Sequence, residues 1–333
     1  MEELVNVPDA LVVGRLSIDL YPDVVGRPLA DASMFRSAVG GTSANVAVAA
    51  AKLGRRAALI TKVGDDPLGR YARAALERHG VDATGVTTHP TLATPVVFIE
   101  LDPPTEPSIW FYRKPSAPDE FLTLDDIDLD LVRSVPVLWV PGGALAFEPS
   151  ASTMTAMLRE RGRRAHTVLD IDYRPMFWLS PAAAGAAVRP LLDHVTVAIG
   201  NREECAVTVG TADPEAAGRR MLDHGVALAI VKMGPDGVLA MTADGTSVVV
   251  PPTPVDVVCG LGAGDAFGGS LIDGLVRGAT PGAALADVLR RANAAGAIVA
   301  SRLLCSDDMP TSDEIDMMLA TGVPPTRVEG DRP

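Results

Sequence analysis

The sequence predicts an α/β fold built around a mostly parallel sheet, and two observations support this. Short apolar runs alternate with helix-like segments, as where the strand-like run 57–63 precedes a predicted helix over 70–79. Several of these runs end in Gly-rich turns, which suits strands that lead into the next element through a tight loop. Alternation of strand, helix and strand is typical of parallel sheets with right-handed crossovers.

The chain is predicted to form a single domain over 1–320. Its 333 residues, of which 47% are hydrophobic, suffice for one large α/β domain or two smaller ones, and no linker separates two. A Pro-rich, charged tail over 321–333 is predicted to be disordered. Strands are predicted, in chain order, over 10–14, 57–63, 137–140, 167–172, 195–199, 227–232, 238–241 and 247–258.

The predicted helices are recognised by the spacing of their apolar or small residues and by a C-capping glycine. An Ala-rich segment over 46–53 ends at Gly54, a residue type that commonly caps the C-terminus of a helix. Apolar side chains recur every four residues over 267–275, which places them on one helix face. Small residues dominate 292–302, so that this helix can lie close to its neighbours.

A second, smaller sheet is predicted from Pro-rich parts of the chain. The runs 94–100 and 109–114 have strand-like composition but lie among prolines, which are confined to edge strands, strand ends and bulges. Together with the stretch near 15–38, the segment 93–118 is predicted to form a β lid over the mouth of the ligand site.

Charge and residue usage exclude several classes of partner. The net charge is −13 and the lysines and arginines form no extended cluster, so nucleic acid and anionic membrane surfaces are poor partners. The three cysteines and five histidines are scattered, which supports neither a zinc site nor a disulfide framework. The first residues lack a signal-peptide pattern and no apolar run approaches membrane length. We therefore expect a cytoplasmic protein.

The sequence Gly262-Ala263-Gly264-Asp265 is the strongest functional candidate. It follows a predicted strand and opens a predicted helix, and the free N–H groups of a helix start, together with the helix dipole, bind anions. Glycines without Cβ atoms let a phosphate or an oxyanion approach the backbone closely. Asp265 beside that site is suited to accept a proton from an attacking hydroxyl. The alternative is a turn followed by a helix-capping aspartate.

Residues nearer the N-terminus are candidates for binding a sugar. Asp19 lies five residues after Gly14, just beyond a predicted strand end, where a carboxylate can accept hydrogen bonds from sugar hydroxyls. Gly40 and Gly41 precede a predicted helix, and with Asn45 they would let backbone and amide groups reach a ligand. The alternatives are a turn-forming aspartate and a tight loop with a capping residue.

A third set of candidates could bind a carboxylate group. Arg113 can make a planar, two-pronged contact with a carboxylate, and Tyr112 adds a hydroxyl. The alternative for Arg113 is a surface ion pair with the nearby Asp119. Farther along the chain, Asp172 ends a predicted strand and Arg174 follows it, at the sheet edge where parallel sheets bind ligands.

Five motifs occur in the order found in the ribokinase-like sugar kinases, the PfkB family. In this chain they are Gly14…Asp19, Gly40-Gly41…Asn45, Asn201…Glu204, Lys232…Gly234 and Gly262…Asp265. The chain resembles that family from about residue 11 to 316, nearly its whole length. The resemblance implies a ribokinase-like, Rossmann-type three-layer sandwich with a mostly parallel central sheet and a small β lid. It also implies ATP-dependent phosphorylation of a sugar hydroxyl.

The resemblance further implies roles for individual residues. Asp265 would be the catalytic base, and the backbone of Gly262, Ala263 and Gly264 would bind the transferring phosphoryl group. The residues implied around Mg²⁺ and its waters are Asn201 and Glu204. Those implied around ATP are Lys232, Gly234, Gly237 and Asn293, and those implied around the sugar are Asp19, Gly40, Gly41 and Asn45.

Within the family, the chain is most similar to the sugar-acid kinases. Tyr112, Arg113 and Arg174 match the Tyr and Arg residues that meet a substrate carboxylate in those enzymes, with Asp172 beside them. The segments similar to the 5-dehydro-2-deoxygluconokinases of inositol catabolism are 15–22, 170–178 and 292–302. This similarity implies phosphorylation of the 6-hydroxyl of 5-dehydro-2-deoxygluconate. A 2-keto-3-deoxygluconate kinase, another sugar kinase of the family and a non-catalytic sugar or nucleotide sensor are the alternatives.

One position departs from the family pattern. Many members carry an aspartate six residues before the base, where it is associated with a monovalent-cation site, whereas this chain has Cys259. The substitution puts activation by potassium in doubt. The lid offers strand edges that could pair between subunits, so a homo-oligomer is expected, with a dimer through the lid as one form.

Overall fold

Strands and helices alternate along most of the computed structural model, which describes residues 7–104, 107–164, 166–278 and 283–325. The strands are β1 (Ala10–Val13), β2 (Ser17–Pro22), β3 (Phe35–Gly40), β4 (Ala57–Gly64), β5 (Val81–Asp82), β6 (Val86–His89), β7 (Val96–Glu100), β8 (Ser108–Tyr112), β9 (Val137–Pro141), β10 (Thr167–Asp170), β11 (Val197–Asn201), β12 (Leu228–Lys232), β13 (Val238–Thr242) and β14 (Ser247–Val250). The helices are α1 (Thr42–Lys52), α2 (Pro67–Arg78), α3 (Leu129–Ser134), α4 (Ser150–Arg161), α5 (Pro181–Val188), α6 (Arg202–Val209), α7 (Pro214–Asp223), α8 (Ala263–Val276), α9 (Ala283–Ala300) and α10 (Ser312–Thr321). In the described part of the chain, no helix combines the length and apolar character needed to cross a membrane.

Ten strands form a central sheet in the order β14-β13-β12-β11-β10-β9-β1-β4-β5, with β6 also paired to β4. The sheet is parallel from β12 to β5, whereas β13 and β14 run antiparallel at one edge. Both faces are covered, as parallel sheets require. Ala10 and Val12 of β1 pack with α1, α2, α8, α9 and α10, while Leu11 and Val13 pack with α3 to α7. The predicted three-layer fold with a mostly parallel sheet is confirmed.

The remaining four strands form a second sheet, the lid, in the order β3-β2-β7-β8. Strands β2 and β7 are parallel, and the other two pairs are antiparallel. Its inner face includes the buried Val97 and Ile99, which share a small apolar cluster with Tyr21, Cys259 and Cys305. A separate small sheet therefore exists, and its strands come from the two parts of the chain that were predicted to form it.

The predicted strand over 247–258 is shorter than the sequence indicates. Strand β14 ends at Val250, and residues 251–258 form no regular secondary structure. Three prolines in this segment lack the N–H donors that strand pairing requires. The segment instead forms one wall of a large cavity beside α8 and α9.

The structure also describes the surroundings of Asp19 and the first part of the C-terminal tail, whose disorder stays a prediction. Asp19 lies beyond the end of β1, as predicted, and belongs to β2 of the lid. The tail predicted to be disordered over 321–333 is described as far as Pro325, whose carbonyl accepts a hydrogen bond of 3.3 Å from Arg302. Residues 326–333 lie outside the described residues.

Helix α8 packs against α1 through a glycine. An added Cβ at Gly269 would clash with the Ala49 side chain and lie 2.7 Å from backbone atoms of Ala49 and Ala50. Backbone atoms cannot turn aside as a flexible side chain can, so the two helices approach closely only because residue 269 is glycine. The approach brings together the first turns of the two helices, which contain Asn45 and Asp265.

Replacing Gly269 by alanine is expected to lower the free energy of unfolding by about 1–3 kcal/mol, because the added methyl group overpacks the contact with α1. Urea unfolding followed by circular dichroism measures the change. Ser270→Ala is the matched control in the same helix. The Ser270 hydroxyl is buried without a hydrogen-bond partner in the described structure, so its removal should alter the free energy little. Equal unfolding midpoints for Gly269→Ala and wild type would contradict the packing argument.

Candidate active site

The first turn of α8 lies between two cavities. Gly262 and Asp265 line one cavity, which lies beneath the lid. Ala263 and Gly264 line the other, whose volume is about 560 Å³. A ligand in either cavity therefore reaches the same helix start.

A left-handed glycine precedes this helix. Gly262 has a φ of +80°, and an added Cβ would lie 2.9 Å from Cys305 Sγ, so both the backbone conformation and the available space require glycine. Gly264 is exposed in the first turn, and an added Cβ there would lie 3.5 Å from Lys232 Nζ. Free N–H groups of a helix start beside an ammonium group form a site suited to a phosphate.

The carboxylate of Asp265 is held by an amide. Asn45 Nδ2 donates a hydrogen bond of 2.8 Å to Asp265 Oδ2. Burial raises the pKa of Asp265 to about 6, against the opposing effects of the Asn45 hydrogen bond and the charges of Arg174 and Lys232. The group is ionised at neutral pH and still basic enough to accept a proton. Asn45 Oδ1 has no partner within the described residues, which leaves it free to accept a hydrogen bond from a ligand.

A second buried carboxylate, that of Asp19, lines the same cavity. Ser17 Oγ donates a hydrogen bond of 2.7 Å to Asp19 Oδ1. Burial raises the pKa of Asp19 to about 7, and the hydrogen bond from Ser17 opposes this rise. Gly40 leaves room for the carboxylate, since an added Cβ would overlap it, and Gly41 adopts a φ of +90° against the Arg15 carbonyl. These residues, predicted from separate motifs, lie together beneath the lid.

Arg113 lines this cavity but is already paired. Its Nη2 donates hydrogen bonds of 2.9 Å to Asp119 Oδ2 and 3.0 Å to Glu120 Oε1. Burial alone would lower the pKa of Arg113, but these two carboxylates raise it. The alternative ion pair with Asp119 is therefore present, although it is buried and not on the surface.

Tyr112, predicted to help bind a carboxylate, does not line the cavity. Its side chain is 67% exposed, whereas the neighbouring Phe111 lines the cavity. Successive residues of a strand point to opposite faces of the sheet, so only one of the two can face the ligand. The prediction for Tyr112 is corrected accordingly, and Phe111 occupies the inner face.

Asp172 connects two arginines after the end of β10. Arg174 Nε donates a hydrogen bond of 3.0 Å to Asp172 Oδ1, and Arg15 Nη2 donates to Asp172 Oδ2. The Asp172 charge raises the pKa of Arg174. Arg174 and Arg15 line the cavity, while the Asp172 carboxylate is buried among its partners. Asp172 is therefore placed to orient the arginines.

The second cavity has the volume typical of a small-molecule site. Lys232 and Gly234 line it from the end of β12 and the turn that follows, and Gly237 lies at the end of that turn. Asn293 lines it from α9 and donates a hydrogen bond of 2.9 Å to the Pro251 carbonyl. All four residues predicted to surround ATP therefore meet at one cavity.

Asn201 and Glu204 begin helix α6 as a capping box. Asn201 Oδ1 accepts a hydrogen bond of 2.9 Å from the Glu204 N–H, and Glu204 Oε2 accepts one of 2.5 Å from the Asn201 N–H. Glu204 Oε2 also lies 3.9 Å from Lys232 Nζ. Burial alone would lower the pKa of Lys232, but the charges of Glu204 and Asp170 raise it. Both predicted Mg²⁺-site residues thus cap a helix next to the lysine of the second cavity.

Comparison with known proteins assigns the chain to a family. Residues 7–312 match the family described as pfkB family carbohydrate kinase. The chain belongs to this family. It is 33% identical over 317 residues to 5-dehydro-2-deoxygluconokinase of Geobacillus thermodenitrificans, with 93% of each chain covered. It is 32% identical over 314 residues to the protein of that name from Clostridium perfringens, covering 92% of this chain and 91% of that protein. The prediction of an ATP-dependent carbohydrate kinase is confirmed.

Solved structures share the fold of this pfkB kinase. A double mutant of fructokinase from Vibrio cholerae O395, in its fructose, ADP and potassium ion bound form, aligns with a TM-score of 0.83 and 29% identity over 94% of this chain and 98% of that one. An uncharacterized sugar kinase from Pyrococcus horikoshii in complex with ATP aligns with a TM-score of 0.76 and 25% identity over 94% and 98%. These neighbours confirm the ribokinase-like architecture.

Two groups at the cavity of this pfkB kinase could not be assigned from motifs. Arg15, directly after Gly14 at the end of β1, is buried and lines the cavity. Phe177 places its ring centroid 4.9 Å from Arg15 Cζ and 5.1 Å from Arg113 Cζ, within range of cation–π attraction. Both residues lie in segments similar to the sugar-acid kinases, 15–22 and 170–178, but that similarity gave neither of them a role.

The residue that departs from the family pattern, Cys259, is buried in the apolar cluster beneath the lid. Burial raises the pKa of the Cys259 thiol, so the group is neutral at physiological pH. The chain therefore offers no carboxylate at this position, and activation by potassium stays in doubt.

Proposed function

We propose that this pfkB kinase transfers the γ-phosphoryl group of ATP to the 6-hydroxyl of 5-dehydro-2-deoxygluconate, a reaction of inositol catabolism, in the cytoplasm. The observation that carries the proposal is the place of Asp265, between a helix start on one side and an arginine-lined cavity on the other. The relatives named for this activity, 33% identical over 93% of the chain, support the choice of substrate.

In this proposal, Asp265 takes the proton from the attacking hydroxyl. Asn45 holds the carboxylate in place through its 2.8 Å hydrogen bond. The N–H groups at the start of α8, from Gly262 to Gly264, stabilise the transferring phosphoryl group, and the Lys232 ammonium adds positive charge beside them. Phosphoryl transfer depends mainly on positioning and on charge stabilisation, so these groups suffice for the chemistry.

The two ligands are assigned to the two cavities. The sugar lies beneath the lid, where Asp19 and Asn45 accept hydrogen bonds from its hydroxyls. Arg15 and Arg174 face its carboxylate end. ATP lies in the second cavity, which Lys232 lines from the end of β12 and Asn293 from α9. The helix start of α8 is shared, so that the γ-phosphoryl group and the reacting hydroxyl meet there.

The residues present fit a magnesium ion bound through water and phosphate. Among the described residues, no cluster of three or more His, Cys, Asp and Glu side chains could hold a metal by itself. Mg²⁺ usually keeps several waters and is bound by one or two carboxylates and by substrate phosphates. Glu204, with Asn201, lies beside Lys232 at the second cavity and would hold such an ion there. When bound, Mg²⁺ neutralises charge on the phosphates.

A coupled ADP-release assay with MgATP tests the proposal, using 5-dehydro-2-deoxygluconate and 2-keto-3-deoxygluconate side by side. We expect a strong preference for the first acid, in kcat/KM. Preference for the second would retain the fold and the proposed base but change the substrate. Turnover of a neutral sugar alone would contradict the sugar-acid assignment, and binding of ATP and acid without ADP release would favour a sensor.

The pH dependence tests the role of Asp265. The value of kcat/KM is expected to fall as the pH drops below about 6, because protonation of Asp265 removes the base. Asn45→Ala should move this inflection to higher pH, since the lost hydrogen bond favours the ionised form. Asp265→Asn should lower the rate by roughly 10²–10⁴ and remove the inflection. Asn293→Ala, an amide at the other cavity, is the control and should leave the inflection in place.

Asp19, whose pKa is raised to about 7, titrates in the same cavity and must be separated from Asp265. In Asp265→Asn, the inflection near pH 7 from Asp19 is expected to persist, whereas the inflection near pH 6 from Asp265 is expected to disappear. A full-speed Asp265→Asn enzyme, or an inflection that Asn45→Ala leaves unmoved, would contradict the assignment.

We also propose that two copies of the chain pair through the outer face of the lid. This face exposes Trp110 and Tyr112 and includes an aromatic row in which Phe98 lies 5.3 Å from Phe35 and 5.2 Å from Tyr112 between ring centroids. Exposed aromatic clusters of this kind are typical of interaction surfaces. A second copy supplies the same aromatic face, as a two-fold dimer requires.

Trp110→Glu is expected to weaken this dimer by more than ten-fold, measured by sedimentation velocity across a concentration series. Met317→Glu on α10 is the matched control, since the two side chains are similarly exposed, at 54% for Trp110 and 53% for Met317. The control should leave the dimer intact. A wild-type chain that is monomeric throughout, or equal effects of the two substitutions, would contradict the proposal.

A further inference from the structure

Arg15 is a buried cation that lines the cavity beneath the lid and has unpaired N–H groups. Its Nη2 donates hydrogen bonds to Asp172 Oδ2 and, at 3.0 Å, to Thr42 Oγ1. Its Nε and Nη1 are buried and have no partner in the part of the chain that the structure describes. Buried polar groups in folded proteins are nearly always paired, and a charged group left unpaired is costly. A ligand of opposite charge would complete the environment of Arg15.

The charges around Arg15 also point to an anion. Its carboxylate partner Asp172 is shared with Arg174, so that two guanidinium groups meet one carboxylate. Arg113 differs, because two carboxylates of the loop after β8 neutralise it. Burial lowers the pKa of Arg15 in spite of the Asp172 charge, which indicates that its surroundings do not fully replace the water it has lost.

The guanidinium of Arg15 is fixed in orientation. The ring of Phe177 lies 4.9 Å from its Cζ, and that ring packs edge-on against Phe111 at 5.2 Å and Phe147 at 5.7 Å. The backbone N–H of Arg15 donates a hydrogen bond of 3.1 Å to Ser43 Oγ. A rigidly held guanidinium with unpaired donors, shielded from bulk water, is well suited to bind a carboxylate.

We propose that Arg15 is the residue that binds the substrate carboxylate, through the N–H groups that Asp172 and Thr42 leave unpaired. Arg113 then supports the lid and the Phe177 ring and does not contact the carboxylate. The proposal rests on the proposed function, since it takes the substrate to be a sugar acid. It requires the acid to lie with its carboxylate toward Arg15 and its terminal hydroxyl toward Asp265, both of which line the cavity.

The test compares Arg15→Gln with Arg113→Gln on two substrates, 5-dehydro-2-deoxygluconate and its neutral 1-carboxamide. We expect Arg15→Gln to raise KM for the acid by about 30- to 5,000-fold, the range for truncating one member of a buried, hydrogen-bonded charge pair. The KM for the amide should change far less, so that the preference for acid over amide, as a ratio of kcat/KM values, falls at least ten-fold. Arg113→Gln, which removes an equally buried arginine, should affect the acid and the amide alike.

Folding and binding controls keep the outcomes distinct. ADP affinity and the thermal unfolding midpoint identify a variant that has lost its fold. If Arg15→Gln is such a variant, Arg15→Lys replaces it, because lysine keeps the charge but alters the donor geometry. Arg15→Lys is expected to show a smaller loss of preference for the acid. Equal losses for acid and amide in both Arg15 variants would overturn the proposal. So would an acid-specific loss found only in Arg113→Gln.

The proposed function can fail separately. If the wild type phosphorylates only a neutral sugar, calorimetric titration of 5-dehydro-2-deoxygluconate in the presence of ADP becomes the deciding measurement. Binding that weakens at least ten-fold in Arg15→Gln, with no such loss in Arg113→Gln, would support Arg15 as the carboxylate-binding residue. Absence of binding to the wild type would overturn it.

Discussion

The hydrogen bond between Asn45 and Asp265 joins the two helices on which both cavities depend. The two residues are 220 positions apart in the chain, yet each lies in the first turn of its helix, and the helices pack on the same face of the central sheet. Gly269 allows that packing because a side chain there would strike the backbone of α1. The bond therefore fixes a carboxylate beside a free helix start, and the lid and the turn after β12 are placed around that point.

Local charge, and not net charge, matches this site to anionic ligands. The chain carries a net charge of −13, which would repel a phosphate or a carboxylate at long range. At physiological ionic strength such repulsion is screened within about 8 Å, whereas buried groups are screened much less. Lys232 stands beside the helix start, and Arg15 and Arg174 stand at the other cavity. Placed cations and backbone N–H groups thus create positive regions within an acidic protein.

The lid presents two unlike faces because its strands alternate. Phe111 turns inward over the ligand cavity, and the adjacent Tyr112 turns outward into the aromatic row with Phe98. Inward residues shield Arg15 and Asp265 from water, which strengthens their interactions with a ligand. Outward residues are free to contact another subunit. A subunit bound there would contact the same sheet that covers the ligand cavity.

Much of this protein was determined by local sequence. Alternating apolar runs predicted the parallel sheet, and the Gly262 motif predicted the start of α8 with its acidic residue, because strand periodicity, glycine conformation and helix ends depend on near neighbours. The order of motifs also predicted that Asp19 and Asn45 belong to one site. Local sequence was ambiguous after Val250, because the prolines there disfavour a strand whereas the valines among them favour one.

Tertiary structure alone decided which side chains reach the ligand and which are already paired. Phe111, and not Tyr112, faces the cavity because the burial of one face of the lid sets the direction of every residue in β8. Arg113 is neutralised by carboxylates of the loop that follows, while Arg15 shares Asp172, a residue 157 positions away, and keeps unpaired donors. Such pairings follow from how distant segments pack, so residue spacing along the chain does not contain them.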